Sequence, residues 1–453
     1  MNRSVLTTVT VAASLIASLL VTTGLSASAT TAEPALSVRV SGPSLVDSSG
    51  QPIKILGVNR SGTEYPCVHG WGIFDSPNDD AALASVATWK GNAVRVPLNE
   101  SCWLGINGVS EHWGGVNYRT AIKDYVDRLH RAGFLVVLDL HWSAPGTTLA
   151  TKQTVMPNAD HSPDFWRSVA TTFKSDPAVI FDAFNEPHLI DWTCWRDGCT
   201  TSEGWKAAGM QTLVNAIRST GAMQPIMLSG RHWGGDLSKW LEYAPADPAG
   251  QLVAGAHIYN FSSCNTVACW DATIAPVAAK VPVVTGELGT TECSAAFVDS
   301  YMDWADARGV SYIPWTWNTW DCKLGPSLIT AYDGTPTAYG SAVKQRFEAW
   351  AAASTAGVAT APDAPRSVTA EAGKRSATVS WTHGADGGSP LTGQTVRVYR
   401  GTSVVDSVAA SPTVTSVRIR PLTSGVEYRF SVLATNSVGT SPESATTNVV
   451  KPR

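Results

Sequence analysis

Two carboxylates, Glu186 and Glu287, each close a short apolar run, in Phe184-Asn185-Glu186-Pro187 and Gly286-Glu287-Leu288-Gly289. Arg95 interrupts the apolar run Ala93-Val94-Arg95-Val96, and His141 lies in Asp139-Leu140-His141-Trp142. His257 and Tyr259 stand two residues apart in His257-Ile258-Tyr259, and Trp315 opens Trp315-Thr316-Trp317. These residue types suit cleavage of a glycosidic bond. Such cleavage passes through an oxocarbenium-like state. It needs one protonated carboxyl group for the leaving oxygen and one ionised carboxylate as nucleophile or base. The two groups must hold different pKa values, so one needs a cationic partner and the other a less polar setting. Arg95 can hold Glu287 ionised, and Tyr259 can donate a hydrogen bond to it. Sugar rings offer C–H faces to the indoles of Trp142, Trp315 and Trp317, while their hydroxyls want Asn and His partners. The acid and the nucleophile suffice for this chemistry, so no metal or other cofactor is expected.

Taken singly, each residue also has a structural explanation. A lone Glu at a strand end serves equally as a salt-bridge partner or helix cap, and His141 or His257 alone is more often a satisfied core histidine. Arg95 resists that reading, because an unpaired buried charge is costly. The spacing of His257 and Tyr259 puts both side chains on one side of a strand. Trp89, Trp166, Trp205, Trp304 and Trp350 fall in helical segments and read as packing residues.

The elements that must position these groups are legible as a repeating grammar. Within Tyr118 to Arg131, Ile122, Tyr125, Val126 and Leu129 recur at helical spacing, Gly133 stops the helix, and Phe134 to Leu138 reads as a buried strand. The same helix–glycine–strand order recurs at Gly91, Gly221 and Gly309. Eight strands are expected, near Ile55, Val94, Val136, Ile180, Ile226, Val253, Val283 and Tyr312. That pattern predicts a (β/α)8 TIM barrel over residues 35–350, whose functional groups gather where the strands end. Neither a dinucleotide nor a P-loop fingerprint is present, and no G-x-S-x-G elbow. Trp71, Trp103, Trp192, Trp195, Trp233, Trp270 and Trp320 occupy expected loops at the barrel mouth, with Trp113 and Trp240 unassigned. Residues 351–364 form an Ala/Thr/Pro linker, and residues 365–451 alternate as short strands, which predicts an all-β sandwich. Leu422-x-x-Gly425-x-x-Tyr428, with Asn436 and Gly439 downstream, resembles the tyrosine-corner region of a fibronectin type III module. Trp381 is then a core residue, and the module reads as a spacer.

Composition agrees with two unlike domains. Of 18 Trp in 453 residues, only Trp381 follows Trp350. The net charge of −4 makes no electrostatic case for nucleic acid or an anionic membrane surface. Residues 1–29 read as a secretory signal peptide, with Arg3, an apolar run from Val9 to Val21 and Ala27-Ser28-Ala29. The expected product is a secreted, extracellular, monomeric protein. Its eight cysteines then favour disulfides, with Cys194/Cys199 and Cys264/Cys269 as local pairs. A Cys₄ zinc site joining those two loops is the alternative.

Together the strand-end motifs resemble glycoside hydrolase family 5, most closely its cellulase branch, with Gly57-Val58-Asn59 fitting the first strand. The resemblance implies a retaining double displacement on a β-linked polysaccharide or oligosaccharide, most simply a β-1,4-glucan. Glu186 would be the acid/base and Glu287 the nucleophile. Asn185 would bind the hydroxyl beside the reacting carbon, and Arg95 and Tyr259 would position Glu287. His141 and His257 would contact substrate and the acid/base, and Trp315 would floor the subsite. Retention implies carboxyl groups ~5–5.5 Å apart, whereas inversion implies ~9 Å. The Cys- and Trp-rich segments Asp191–Cys199 and Cys264–Trp270 lie outside the shared motifs and could narrow the cleft. A β-glycosidase or mannanase on the same machinery is the second reading, and a non-catalytic carbohydrate-binding barrel the third.

Overall fold

The structure, a computed structural model, describes residues 36–292, 294–321, 325–355, 360–387, 391–436 and 438–453. The segment read as an export signal, together with Cys293 and Cys322, lies outside the described residues. Eight strands form the central sheet: β1 (Gly57–Asn59), β2 (Ala93–Asn99), β3 (Leu135–Trp142), β4 (Val179–Asp182), β5 (Ile226–Ser229), β6 (Leu252–Tyr259), β7 (Val283–Gly289) and β8 (Ser311–Pro314). They pair in chain order and in parallel, and a parallel bridge between Leu56 and Tyr312 joins the first to the last. This is the expected (β/α)8 barrel.

Alternation along the strands sorts the core into two layers. Ala93, Leu135, Val137, Ile180, Val253, Val284 and Ile313 cluster as one apolar plug, whereas Val94, Val96, Val136, Leu138 and Phe181 belong to a separate cluster with the helices. Arg95, Asp139 and Asp182 share the parity of the plug residues and lie one step further along their strands, wholly buried. The inner face therefore changes from apolar to charged toward the strand ends.

Helices cover the outside as the periodicity predicts. Val116–Arg131 buries Tyr118, Ile122, Tyr125, Val126 and Leu129. Gly133, Gly221 and Gly309 adopt positive φ where helices end. Gly91 is different. There the left-handed residue is Lys90, and a Cβ on Gly91 would sit 2.9 Å from the Leu56 carbonyl and 3.3 Å from the Phe347 ring. Its glycine is a matter of close packing, not of turn geometry.

Several tryptophans depart from the expectation. Trp317 is 3% exposed and packs edge-on against Trp89, with ring centroids 4.8 Å apart, so it offers no face to a sugar. Trp103, Trp192, Trp195 and Trp270 are buried in short helices instead of lining the mouth. Indole burial needs a partner for the N–H: that of Trp195 bonds the Ser229 carbonyl and that of Trp270 the Cys264 carbonyl. Trp205, expected on a helix, lies in a bend before the short strand Lys206–Ala208.

Cys194–Cys199 and Cys264–Cys269 close on themselves, which removes the Cys₄ zinc alternative. A third disulfide, Cys67–Cys102, joins the loop after β1 to the helix Glu100–Leu104 after β2. The helix Ala338–Thr355 runs five residues into the expected linker, because Ala351 to Ala353 are strong helix formers. Beyond it stand two three-stranded antiparallel sheets. One joins β9 (Arg366–Gly373), β10 (Ser376–Thr382) and β13 (Ser416–Ile419), and the other joins β12 (Ser403–Ala410), β11 (Gly393–Arg400) and β14 (Arg429–Thr435). Trp381 is buried between them, and Tyr428 Oη accepts from the Thr423 backbone N–H at 3.2 Å, the corner contact of a fibronectin type III sandwich.

Removing the Cys67–Cys102 bridge has a measurable cost. It closes a loop of 35 residues, worth about 3–4 kcal/mol in the chain-entropy model. The double variant Cys67→Ser/Cys102→Ser is expected to melt several degrees below the parent by calorimetry. An unchanged melting temperature would overturn this role.

Candidate active site

Arg95 is the centre of the site, though no part of it meets solvent. A guanidinium has five N–H donors in a fixed fork, and here it makes four hydrogen bonds and one further ion pair. Nε donates to Asp182 Oδ2 at 2.9 Å. Nη1 donates to Asn59 Oδ1 at 2.9 Å and Glu287 Oε1 at 3.0 Å. Nη2 donates to Asn185 Oδ1 at 2.7 Å and lies 3.0 Å from Asp139 Oδ2. One side chain thus ties groups on β1, β3, β4 and β7 and the segment just after β4. Its place is beneath the mouth, where it holds other groups instead of a substrate.

One cation beside three carboxyl groups cannot neutralise them all in a buried setting. Burial pushes Asp139 up to about 8 and Asp182 well above the ordinary range, against the opposing pull of Arg95. Asp139 also bonds His141 Nδ1 at 2.7 Å, while burial lowers that imidazole's pKa. His141 is therefore oriented by β3 itself, through a residue two positions earlier on the same face.

Glu287 receives a donor on each oxygen: Arg95 on Oε1, and the Tyr259 hydroxyl on Oε2 at 2.5 Å. Burial keeps that phenol protonated by raising its pKa well above 10.0. Glu186 follows β4 and faces β6, with Oε1 3.0 Å from His257 Nδ1. The same nitrogen lies 3.6 Å from Glu287 Oε2. Burial pushes His257 down to about 3, so it stands neutral between the two acids. Burial also raises Glu186, with His141 the strongest opposing influence.

A cavity of about 290 Å³ opens over these groups, lined by His141, Glu186, Tyr259, Glu287, Trp315 and Trp233 among others. Trp315 stacks on His141 at 5.5 Å and 14°. The sequence reading left β5 without a contribution. The loop after it carries Trp233 at the mouth, as expected of that loop, half exposed and stacked on His188 with ring centroids 3.5 Å apart. His232 and Trp233 both hold positive φ, which side chains other than glycine rarely adopt. Asp139 and Asp182 were missed as members of the site. Their signal was parity, since each falls on the inner face of a strand otherwise apolar there. Gln153 carried no signal, as it sits in a long loop after β3.

Asn185 is held by Arg95 through its oxygen, and its buried Nδ2 has no protein acceptor among the described residues. Glu186, His257 and Glu287 form the one cluster of possible metal ligands among the described residues, with ligand atoms within 4.8 Å of one another. Both Glu287 oxygens already take donors and Arg95 brings positive charge beside them, so the donor set fits proton chemistry better than a cation. A larger hollow on the sandwich, about 610 Å³, has only solvent-exposed Glu427 and Arg429 as charged lining groups.

Loss of the central cation leaves buried acceptors unsatisfied. Arg95→Met is expected to lower unfolding stability by about 3–5 kcal/mol, read by urea denaturation. Parental stability in that variant would show that the five contacts are not what holds the barrel mouth together.

The family pattern described as cellulase, glycosyl hydrolase family 5, matches residues 46–321, and that of the fibronectin type III domain matches residues 363–450. An endoglucanase, CelA of Streptomyces lividans, is 23% identical over 331 residues, covering 68% of this chain and 64% of that protein. Endoglucanase E-5 of Thermobifida fusca is 21% identical over 298 residues, covering 62% and 55%. The chain thus spans less than two thirds of the length of either relative. Among solved structures, the β-glucanase of Saccharophagus degradans in complex with cellotetraose aligns with a TM-score of 0.55 at 20% identity, over 70% of this chain and 94% of that one. Barrel, strand-end motifs and a family match over more than half of the length agree: the chain belongs to glycosyl hydrolase family 5, and a fibronectin type III domain follows its catalytic-type barrel.

Proposed function

We propose that the protein is a retaining β-glycoside hydrolase that cleaves β-1,4-glucan by double displacement. The observation that carries this reading is the spacing of the two acids. One carboxylate oxygen of Glu186 and one of Glu287 lie within 4.8 Å of each other, an approach that suits the ~5–5.5 Å separation of retaining sites better than the ~6.5–9.5 Å that leaves room for water. Glu287 attacks the anomeric carbon as Glu186 gives its proton to the departing glycosidic oxygen, forming a glycosyl ester. Glu186, now a carboxylate, takes a proton from water, which attacks the same carbon and releases Glu287.

The surroundings suit this division. Glu287 carries Arg95 and Tyr259 on its oxygens, while Glu186 is raised by burial. Asn185 offers a buried, unpaired Nδ2 to the hydroxyl beside the reacting carbon. The Trp315 indole, backed by His141, floors the glycone, and Trp233 faces the cavity beside Glu186. The endoglucanase relatives support β-1,4-glucan as the substrate class. Export is proposed too, supported by the sequence of residues 1–29 and by three disulfides among the described residues.

Product NMR on a soluble β-glucan tests retention: the β-anomer is expected first, and an initial α-anomer would sink the mechanism. Glu287→Gln is expected to abolish hydrolysis, and Glu186→Gln to reduce it by about 10²–10⁴-fold. A general acid works only while protonated, so kcat/KM falls as pH rises through the Glu186 pKa. Since that pKa is raised above 4.5, the basic limb is expected at higher pH than for an ordinary Glu. A profile already falling below pH 4.5 would contradict the assignment.

A further inference from the structure

Residues 143–161, between β3 and the helix Ser162–Phe173, form a long loop without regular elements, and long ordered loops in compact domains are usually functional. This one is fastened by three consecutive residues, Asn99 at the end of β2 and Glu100 and Ser101 at the start of the helix Glu100–Leu104. Asn99 Nδ2 donates to the Ala150 carbonyl at 2.8 Å, and Ser101 Oγ accepts from the Ala150 N–H at 3.2 Å. Glu100, wholly buried, grips both ends of the loop. It accepts from the Ala144 N–H at 3.2 Å, Asn158 Nδ2 at 2.7 Å and Ser162 Oγ at 2.5 Å.

The segment around Gln153 is anchored as well. Thr154 Oγ1 lies 3.0 Å from Ser143 Oγ, and the Val155 carbonyl accepts from the His188 N–H at 3.0 Å, two residues beyond Glu186. Gln153 thereby lines the same cavity as Glu186, and its side chain acts to lower the pKa of that carboxyl group. Its Oε1 is buried and has no protein partner among the described residues, and of its two polar groups only the amide N–H, as a donor, lowers a carboxyl pKa. We propose that Gln153 is a positioning residue for the proton transfer at Glu186, held against that carboxyl by the clamped loop. The inference rests on the acid/base reading of Glu186.

An amide N–H favours the charged carboxylate and so opposes the effect of burial. It would steady Glu186 in the step where that group takes a proton from water. The other groups around Glu186 are His257 and Tyr259 from β6, Glu287 from β7, His141 and Asp139 from β3, Arg95 from β2, and His188 on its own segment. None of them is altered by changing Gln153.

The test uses the full chain, with kcat/KM against pH for an unactivated β-1,4-gluco-oligosaccharide and for a dinitrophenyl β-glycoside, whose leaving group needs little protonation. Gln153→Met is expected to move the basic limb upward by about half a unit or more. Its rate on the oligosaccharide should fall several-fold more than its rate on the aryl glycoside. Gln153→Glu keeps the shape and adds a like charge, so it should move the limb further; it decides the matter if Gln153→Met melts early. Profiles that superimpose on the parent, or an equal fall on both substrates, would overturn the inference. Glu186→Gln run alongside separates the two readings. If that variant hydrolyses the oligosaccharide at the parental rate, the acid/base assignment fails. If it loses activity while both Gln153 profiles match the parent, only the role of Gln153 fails.

Discussion

Everything at the barrel mouth is arranged around one buried guanidinium. A charge removed from water must find compensation nearby, and Arg95 finds it in four hydrogen bonds and an ion pair with five residues from different parts of the sheet. A lysine, with a point charge and no planar fork, could not hold these five acceptors in one geometry. The result is a polar layer fixed above an apolar plug. Asn59, Asp139, Asp182, Asn185 and Glu287 are oriented by a group that itself stays out of reach of any ligand. Precision at the site is thereby lodged mostly in strands, which hold a site more exactly than loops do.

The two acids differ because their neighbours differ. Glu287 lies in the field of Arg95 and takes the Tyr259 hydroxyl, whereas Glu186 meets a neutral imidazole and a loop amide. His257 is the common boundary, touching one acid and near the other, and its burial denies it the charge that would blur the distinction. Loops complete what strands begin. The disulfide Cys67–Cys102 and the acceptor Glu100 both fasten loops to the short helix after β2, so that element is a second organising point beside Arg95.

Tryptophan placement shows where local reading fails. Trp315 and Trp317 are two residues apart after β8, and sequence alone treats them alike. In the fold one backs His141 at the cavity and the other packs on Trp89, because only one of the two directions from that segment leads to open space. Trp103, Trp195 and Trp270 sit in segments that read as loops, yet helical turns carry them into the core. Trp233 lies at the mouth where its loop was expected, but the positive φ of its backbone is not foretold by any local preference.

The sequence by itself determined the barrel, the sandwich and the placement of Glu186 and Glu287 at strand ends. Apolar periodicity sets which face of each element is buried, and a carboxylate that ends an apolar strand must emerge where strands end. Only the tertiary structure decided which acceptors share Arg95, which tryptophans meet the cavity, and that Gln153 and Glu186 line it together. Those contacts join residues far apart in the chain, and periodicity orients a side chain toward the interior without naming what it meets there. The position of Glu287 beside Arg95, 192 residues earlier, follows from closure of the barrel and not from any pattern within either strand.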